Sequence, residues 1–144
     1  MARILSLQLH EQRCEPLRVV DEVHGTVGGG LAGDSHAEKR TRAVLIVDRS
    51  TLDALGLDPG DLREQITIQG LADVMALPSG TRLRAGALTL VVNAPCEPCT
   101  HIGEMLDVDD SEAFREMLRG RRGVLCTVVA ADGPARRGDP VEVV

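Results

Sequence analysis

The segment of the sequence with the clearest chemical potential is residues 96–101, which reads CEPCTH. Its two thiols, Cys96 and Cys99, are flanked by Pro95 and Pro98, so the segment is excluded from an ordinary strand or helix. Cys99 also precedes a predicted short helix, and a helix N-terminus lowers the pKa of a thiol. This pattern predicts a reactive or metal-binding thiolate, and by itself it leaves redox, zinc and catalytic roles open.

The other cysteines and the zinc alternative are less informative. A zinc site needs further ligands beside the cysteine pair. His36 and His101 are candidates, but no second pair follows at zinc-ribbon spacing. Cys126 lies in an apolar run and is predicted to be core, whereas Cys14 lies in a charged segment and has no assigned role. A thioredoxin-like role would need a βαβ unit around the pair, which the sequence does not predict.

A second chemical signal is the loop Gly33-Asp34-Ser35-His36, which is followed by Arg40 and Arg42. A glycine-rich bend lets backbone N–H groups approach an anion, and arginine side chains bind phosphate through paired hydrogen bonds. The loop matches neither the P-loop nor the dinucleotide fingerprint, so an exposed polar turn is the competing interpretation. Lys39 is the only lysine and lies in a charged run, which argues against a pyridoxal-phosphate Schiff base in this chain.

The composition limits the function classes. At 144 residues the chain is predicted to form one domain over 1–144. Phe114 is the only aromatic residue among Phe, Trp and Tyr, so the core must be aliphatic. The net charge of -6 and the lack of aromatic stacking platforms argue against nucleic-acid binding. The sequence shows neither a signal peptide nor ~20 consecutive apolar residues, which predicts a cytoplasmic protein without a membrane span.

The elements that must position these residues are mostly short strands. Strands are predicted at residues 3–9, 23–27, 43–47, 65–69, 81–84, 87–92, 123–130 and 141–144, with 65–69 half-buried. Helical turns are predicted at 50–55, capped by Ser50, and at 100–105. A further helix is predicted to open at 110–112 and to bury Ala113, Phe114, Met117 and Leu118 on one face. Many short strands with few helices are typical of a β-barrel or sandwich.

Several segments, taken in order, resemble the MOSC domain family, which occurs at the C-terminus of molybdenum-cofactor sulfurases and in small free-standing bacterial proteins. The matching segments are Gly30–His36, Ala43–Asp48, Arg63–Leu71, Leu77–Leu83, the Pro98-Cys99 step and Gly138-Asp139. The resemblance implies a mainly-β fold, a closed or partly open β-barrel with a few short helices. One departure is Arg63-Glu64-Gln65, where the family usually has Gly-Glu-Asn.

The resemblance also implies a site. Cys99 aligns with the family cysteine that carries sulfur or ligates the molybdenum of a molybdopterin cofactor, so it is the predicted catalytic residue and metal ligand. The predicted cofactor-binding residues are Gly33, Asp34, His36, Arg40, Arg42 and Glu64, together with Cys96, an extra thiol that does not follow from the family pattern. The implied function is that of a molybdenum-cofactor-associated protein, with reduction of N-hydroxylated small molecules as one reaction.

The sequence implies partners for that function. It contains no iron–sulfur motif and no credible Schiff-base lysine, so electrons must come from a separate electron-transfer protein, or sulfur from a separate cysteine desulfurase. Two alternatives stay open: a non-catalytic sulfur or cofactor carrier that delivers to another enzyme, and a zinc or thiol-redox module.

Overall fold

The computed structural model describes residues 1–12, 15–71, 73–98 and 100–144. Its strands are β1 (Arg3–Leu9), β2 (Arg18–Val20), β3 (Glu22–Val23), β4 (Val44–Asp48), β5 (Ile66–Gln69), β6 (Arg82–Ala85), β7 (Leu88–Pro95), β8 (Val124–Ala131), β9 (Ala135–Arg136) and β10 (Val141–Val143). Its α-helices are α1 (Arg49–Leu55), α2 (Thr100–Met105) and α3 (Ser111–Met117), and 3-10 turns lie at Arg40–Arg42 and Val74–Ala76. No helix in this described part is long and apolar enough to cross a bilayer.

Eight strands form one sheet in the order β10-β6-β7-β8-β4-β5-β1-β2, and β3 pairs with β9 in a small second sheet. Neighbours in the large sheet are antiparallel except for β4 and β5. These two strands are parallel, and the segment that connects them along the chain contains α1. The edge strands β10 and β2 are not joined by a ladder. In the described part of the chain, the segment at β1 and the start of β10 are linked by a bridge between Arg3 and Pro140 and by backbone bonds such as Val141 N to Ala2 O. The prediction of a mainly-β fold with few short helices is confirmed, and the sheet is partly open rather than a closed barrel.

The buried apolar residues of the described ranges form two clusters. The larger cluster lies within the curved sheet and is aliphatic, with fully buried residues such as Leu7, Ile66 and Leu90. The smaller cluster lies where the helices pack against the sheet. It includes Phe114, the only Phe in a sequence that has no Trp or Tyr. Cys126 belongs to the larger cluster and is fully buried, as predicted, and this burial raises the pKa of its thiol to about 12. It is therefore an inert core residue.

Helix α1 begins directly at the end of β4. Its N-cap is Asp48, whose carboxylate accepts a hydrogen bond from the backbone N–H of Thr51 at 2.9 Å. The prediction that Ser50 caps this helix is wrong, because the last strand residue already supplies the carboxylate at the N-cap position. Asp53 instead pairs with Arg49 on the exposed face, at 2.8 Å.

Two further predictions need correction. In α3, Phe114 and Leu118 are buried, but Ala113 and Met117 are exposed, so the apolar face is narrower than predicted. The strand expected at 23–27 ends at Val23, because the chain then turns into the glycine loop.

Strand β5 is buried on both faces rather than half-buried, because its polar side chains find partners inside the protein. Thr67 is fully buried, and its hydroxyl donates to the Glu64 carboxylate at 2.9 Å and accepts from Gln8 at 3.3 Å. Gln65, next to β5, is 2% exposed and accepts from the backbone N–H of Leu45 at 2.7 Å. Buried polar groups are tolerated when they are hydrogen-bonded in this way. This network ties β1, β4 and β5 together beneath the site.

Candidate anion-binding site

A partly open cavity of about 220 Å³ lies where the loop after β3, the ends of the central strands and α2 meet. Cys96 enters this site from the end of β7, where its backbone N–H bonds to Gly123 O at 2.8 Å. The cavity is lined by His10, His36, Lys39, Arg42, Leu45, Arg63, Gln65, Cys96, His101, Ile102, Met105, Arg122 and Leu125. A concave site with apolar walls and a few convergent polar groups is typical of a small-ligand site.

The charges of the lining are uniform in sign. Lys39, Arg42, Arg63 and Arg122 are cationic, and no described lining residue is a carboxylate. The chain as a whole has a net charge of -6, so this cavity is locally opposite to the rest of the surface. Clefts lined by one sign of charge concentrate ligands of the other sign. The charge of the lining therefore favours an anionic ligand over a cationic one.

One atom of Arg122 is a specific candidate for a hydrogen bond to an anion in the cavity. The residue is only 9% exposed, and its Nη1 is buried without a hydrogen-bond partner among the described residues. The next residue, Gly123 (φ 93°), lies close against β4, where a Cβ would be 2.5 Å from the carbonyl oxygen of Ile46. An unsatisfied buried donor costs about 1–3 kcal/mol. A ligand oxygen in the cavity would supply the missing acceptor.

Arg63 lies at the position where the family usually has glycine, and it keeps the backbone conformation that glycine favours, with φ 66°. For a residue with a Cβ this conformation costs about 1–2 kcal/mol. Its guanidinium donates to the carbonyl oxygen of Glu15 at 2.6 Å, and its side chain lines the cavity. The departure from the family pattern therefore preserves the turn and adds a positive charge to the site.

Asp34 is buried inside the loop, where its carboxylate accepts hydrogen bonds, and it is not part of the cavity lining. Its side chain has no exposed surface. Its carboxylate accepts from the backbone N–H of His10 at 2.6 Å, the backbone N–H of His36 at 2.9 Å and the amide of Gln65 at 3.1 Å. These three bonds join the end of β1, the loop and the start of β5, so Asp34 holds both histidines on the cavity wall.

The glycines before Asp34 are required for packing. A Cβ on Gly29 would lie 2.3 Å from the carbonyl oxygen of Ala37, and one on Gly30 would lie 2.9 Å from Ala43. The loop folds back on itself at this distance, which only glycine permits. Within the Gly33–His36 loop, Asp34 is buried and His36 lines the cavity, whereas Gly33 and Ser35 are exposed.

His10 and His36 form a closely paired unit. Their Nδ1 atoms lie 2.9 Å apart and their rings cross at 77°. Burial lowers the pKa of His10 to about 4, with Asp34 opposing the change and His36 and Arg63 adding to it. Burial also lowers the pKa of His36, against the opposing effect of Asp34. Both rings are therefore neutral at neutral pH.

The lowered pKa of His10 predicts an acid-sensitive fold. The unfolded chain binds a proton at His10 near pH 6.5 and the folded chain only near pH 4, so stability falls as pH drops through this window. We expect a loss of about 2–3 kcal/mol from this residue between pH 7 and pH 4. Urea unfolding at several pH values, with His10→Gln, measures it: the variant should lose part of the slope. His24→Gln, at an exposed ion pair with Glu22, should keep it. Identical slopes in the His10 variant and wild type would contradict the assignment.

Glu64 lies behind the cavity rather than in its lining. It is fully buried, burial raises the pKa of its carboxyl group, and its Oε1 has no hydrogen-bond partner among the described residues. Hydrogen bonds from the backbone of Gly60 and Glu64 and from the Thr67 side chain oppose this rise in pKa, and the charge of Arg122 opposes it less. Oε1 of Glu64 and Nη1 of Arg122 are thus two buried polar atoms without a hydrogen-bond partner among the described residues.

The predicted site residues divide into two groups. His36, Arg42 and Cys96 line the cavity, as does His101, whose half-exposed ring lies 3.5 Å from the Glu104 carboxylate. The predicted cofactor-binding residues that do not line it are Gly33, Asp34, Arg40 and Glu64. Arg40 is exposed, and its carbonyl oxygen accepts from Thr127 at 2.8 Å. Cys99 and Cys14 lie outside the described residues.

Sequence reasoning missed five polar lining residues: His10, Lys39, Arg63, Gln65 and Arg122. His10 had a signal, since it directly follows the apolar strand β1. Arg122 also had one, because it stands between a helix and Gly123 at the start of β8. Nothing local to the sequence shows that these positions converge.

The fold and the cavity define a mainly-β domain with a cationic small-ligand site. The chain belongs to the MOSC domain family, whose model matches residues 21–142. No curated protein matches the sequence significantly. The crystal structures with a similar fold include three described next, each below 25% sequence identity.

The YUAD protein from Bacillus subtilis is 22% identical with a TM-score of 0.84, over 99% of this chain and 96% of that one. YiiM from Escherichia coli is 23% identical with a TM-score of 0.71, over 99% and 69%. YiiM from Geobacillus stearothermophilus is 17% identical with a TM-score of 0.76, over 100% and 75%. These likenesses concern the fold.

Proposed function

We propose that this chain binds the molybdenum cofactor in the cationic cavity and uses it to reduce N-hydroxylated small molecules, with electrons from a separate electron-transfer protein. The observation that carries the proposal is the buried, unpartnered Nη1 of Arg122 in a cavity lined by three further cations. The MOSC family is associated with this cofactor, and the cofactor carries a phosphate.

The residues present fit the anionic end of that cofactor. Arg122 would donate to the phosphate from the cavity wall, and Arg42 and Arg63 would neutralise its charge through planar, bidentate hydrogen bonds. Lys39 would contribute a less directional positive charge. With a volume of about 220 Å³, the cavity would hold one end of a pterin-sized ligand and leave the rest at its open side.

We assign the molybdenum and sulfur end of the cofactor to the cysteines. Cys96 is 9% exposed and lines the cavity, and His101 of α2 lines it too. These residues bracket Cys99 in the sequence, and a soft cysteine thiolate suits molybdenum or sulfane sulfur as a ligand. When bound, the cofactor would supply two-electron redox chemistry, and the protein would bind and orient the substrate beside it.

The test of this proposal is metal and pterin analysis of protein purified from a host that makes the cofactor. We expect molybdenum and pterin in near-equal amounts, and turnover of a hydroxylamine-type substrate when an electron donor is added. Protein that accepts persulfide sulfur from a desulfurase but turns nothing over would support the carrier alternative. Zinc at one equivalent without molybdenum would overturn the proposal in favour of a zinc or thiol module.

The anion site makes a separate prediction for Arg122. We expect Arg122→Gln to weaken binding of inorganic pyrophosphate by about ten- to a hundredfold, because a charge-assisted hydrogen bond of about 1.5–3 kcal/mol is lost. Isothermal titration calorimetry measures the affinity. Since Gln at a buried position can also perturb folding, Arg63→Gly is the companion variant. It restores the family residue at a left-handed position and should weaken binding while keeping or raising stability.

The matched control is Arg119→Gln, which removes an exposed arginine that pairs with Glu116 outside the cavity. Its affinity for pyrophosphate should equal that of wild type. Equal affinity in all four proteins would show that the cavity is not the anion site.

A further inference from the structure

The hydrogen bond between His10 and His36 has a direction that the backbone fixes. His10 Nε2 lies 2.7 Å from the carbonyl oxygen of Arg63. A carbonyl oxygen only accepts, so Nε2 carries the proton and the neutral ring has its lone pair on Nδ1. The contact of 2.9 Å between the two Nδ1 atoms then requires His36 to donate from Nδ1. A neutral His36 therefore has its lone pair on Nε2.

The groups around the pair keep it neutral and determine where the next proton binds. Asp34 lies beneath both rings, but its oxygens already accept the backbone N–H groups of His10 and His36. Lys39, Arg42 and Arg63 face the rings with positive charge, and burial acts in the same direction. Because Nδ1 of His10 already accepts the proton of His36, an added proton binds at Nε2 of His36.

We propose that Nε2 of His36 is the atom through which the cavity exchanges protons with its ligand, and that His10 is the positioning residue that fixes the tautomer. His36 lines the cavity and keeps 30% of its side-chain surface exposed, so it meets both the ligand and solvent. An anion in the cavity offsets the charges of the neighbouring cations and raises the proton affinity of His36. The site then binds an anion together with a proton.

This inference adds a proton-exchanging residue to the proposed function. Only the role of His36 in the reduction rests on that function, whereas the tautomers and the proton uptake do not. Reduction of a hydroxylamine to an amine breaks the N–O bond, consumes a pair of electrons and a pair of protons, and releases water. The electrons come from the external electron-transfer protein. His36 would deliver one proton from Nε2 and recover it from solvent through its exposed side, and the second proton would come from solvent through the open side of the cavity.

A metal site at the same residues is the competing chemistry. One ligand atom each of His10, Asp34 and His36 lie within 4.8 Å of one another. The carbonyl bond at Nε2 of His10 also occurs in metal-bound histidines. However, three neighbouring cations repel a metal ion, whereas they attract an anion. The charge balance favours proton exchange.

The first test reads the tautomers directly in ligand-free protein, so it does not depend on the molybdenum cofactor. Long-range proton–nitrogen NMR correlation at neutral pH should show His10 protonated on Nε2 and His36 on Nδ1. In His10→Ala the His36 ring should lose this fixed state and show a mixture of tautomers. Wild-type His36 protonated on Nε2, or Zn²⁺ added alone binding tightly to both Nδ1 atoms, would overturn the inference.

The second test measures proton uptake with inorganic pyrophosphate as the probe. Calorimetry in buffers of different ionisation enthalpy should show that wild type takes up a proton on binding at slightly acidic pH. His36→Gln should bind with this uptake strongly reduced, and His24→Gln, which lies outside the cavity lining, should behave as wild type. Unchanged uptake in His36→Gln would overturn the inference even if the protein carries the cofactor.

Discussion

We expect Cys99→Ser to be purified with its molybdenum content reduced to background, and Cys96→Ser to retain a reduced but measurable amount. A serine hydroxyl is a hard donor that is not ionised near neutral pH, so it replaces neither a thiolate ligand nor a persulfide carrier. Cys96 lines the cavity, so its replacement changes the wall of the site without removing the aligned family cysteine. Metal analysis of variants prepared from a cofactor-competent host measures the effect.

Cys126 provides the control for this experiment. It is a fully buried core residue away from the cavity lining, so Cys126→Ala should load molybdenum like wild type while unfolding at lower denaturant concentration. If Cys99→Ser and Cys96→Ser both load as wild type does, the assignment of the cysteine pair is wrong.

The second large effect concerns stability. We expect Asp34→Asn to lower the free energy of unfolding by about 3 kcal/mol, because a carboxylate that accepts three buried hydrogen bonds is replaced by an amide. The amide has one oxygen acceptor, so its NH₂ group must face one of the backbone donors of His10 or His36. Urea unfolding at neutral pH measures the change.

Asp53→Asn is the matched control, since it removes an exposed carboxylate whose partner is Arg49 in the first turn of α1. Exposed pairs of this kind contribute about 0.3–0.5 kcal/mol. Equal midpoints for the Asp34 and Asp53 variants would show that the loop is held by something other than the buried carboxylate.

The sequence predicted the elements whose local patterns are strong. β1 coincides with its prediction at residues 3–9, and the hairpin of β6 and β7 turns at Gly86 (φ 58°) as expected. The short strands β2 and β9 were not predicted, because two or three residues give no period to detect and their pairing comes from distant partners. The burial of Thr67 was also missed, since a polar residue in alternation normally faces solvent.

The site was predictable only in part, for a related reason. His36, Arg42 and Cys96 were named from local motifs, and all three line the cavity. Arg122 stands in a run of arginines that is typical of a solvated surface, yet it is 9% exposed in the folded chain. The family motif identified the position of Arg63 without indicating that its charge would face the cavity.

The aliphatic core has an optical consequence. With Phe114 packed in the helix cluster and no tryptophan or tyrosine in the chain, the polypeptide is nearly transparent in the near ultraviolet and has almost no intrinsic fluorescence. A chromophore held in the cavity, a pterin included, would be observed against a dark background. Spectra of the purified protein therefore report occupancy directly, without subtraction of a protein signal.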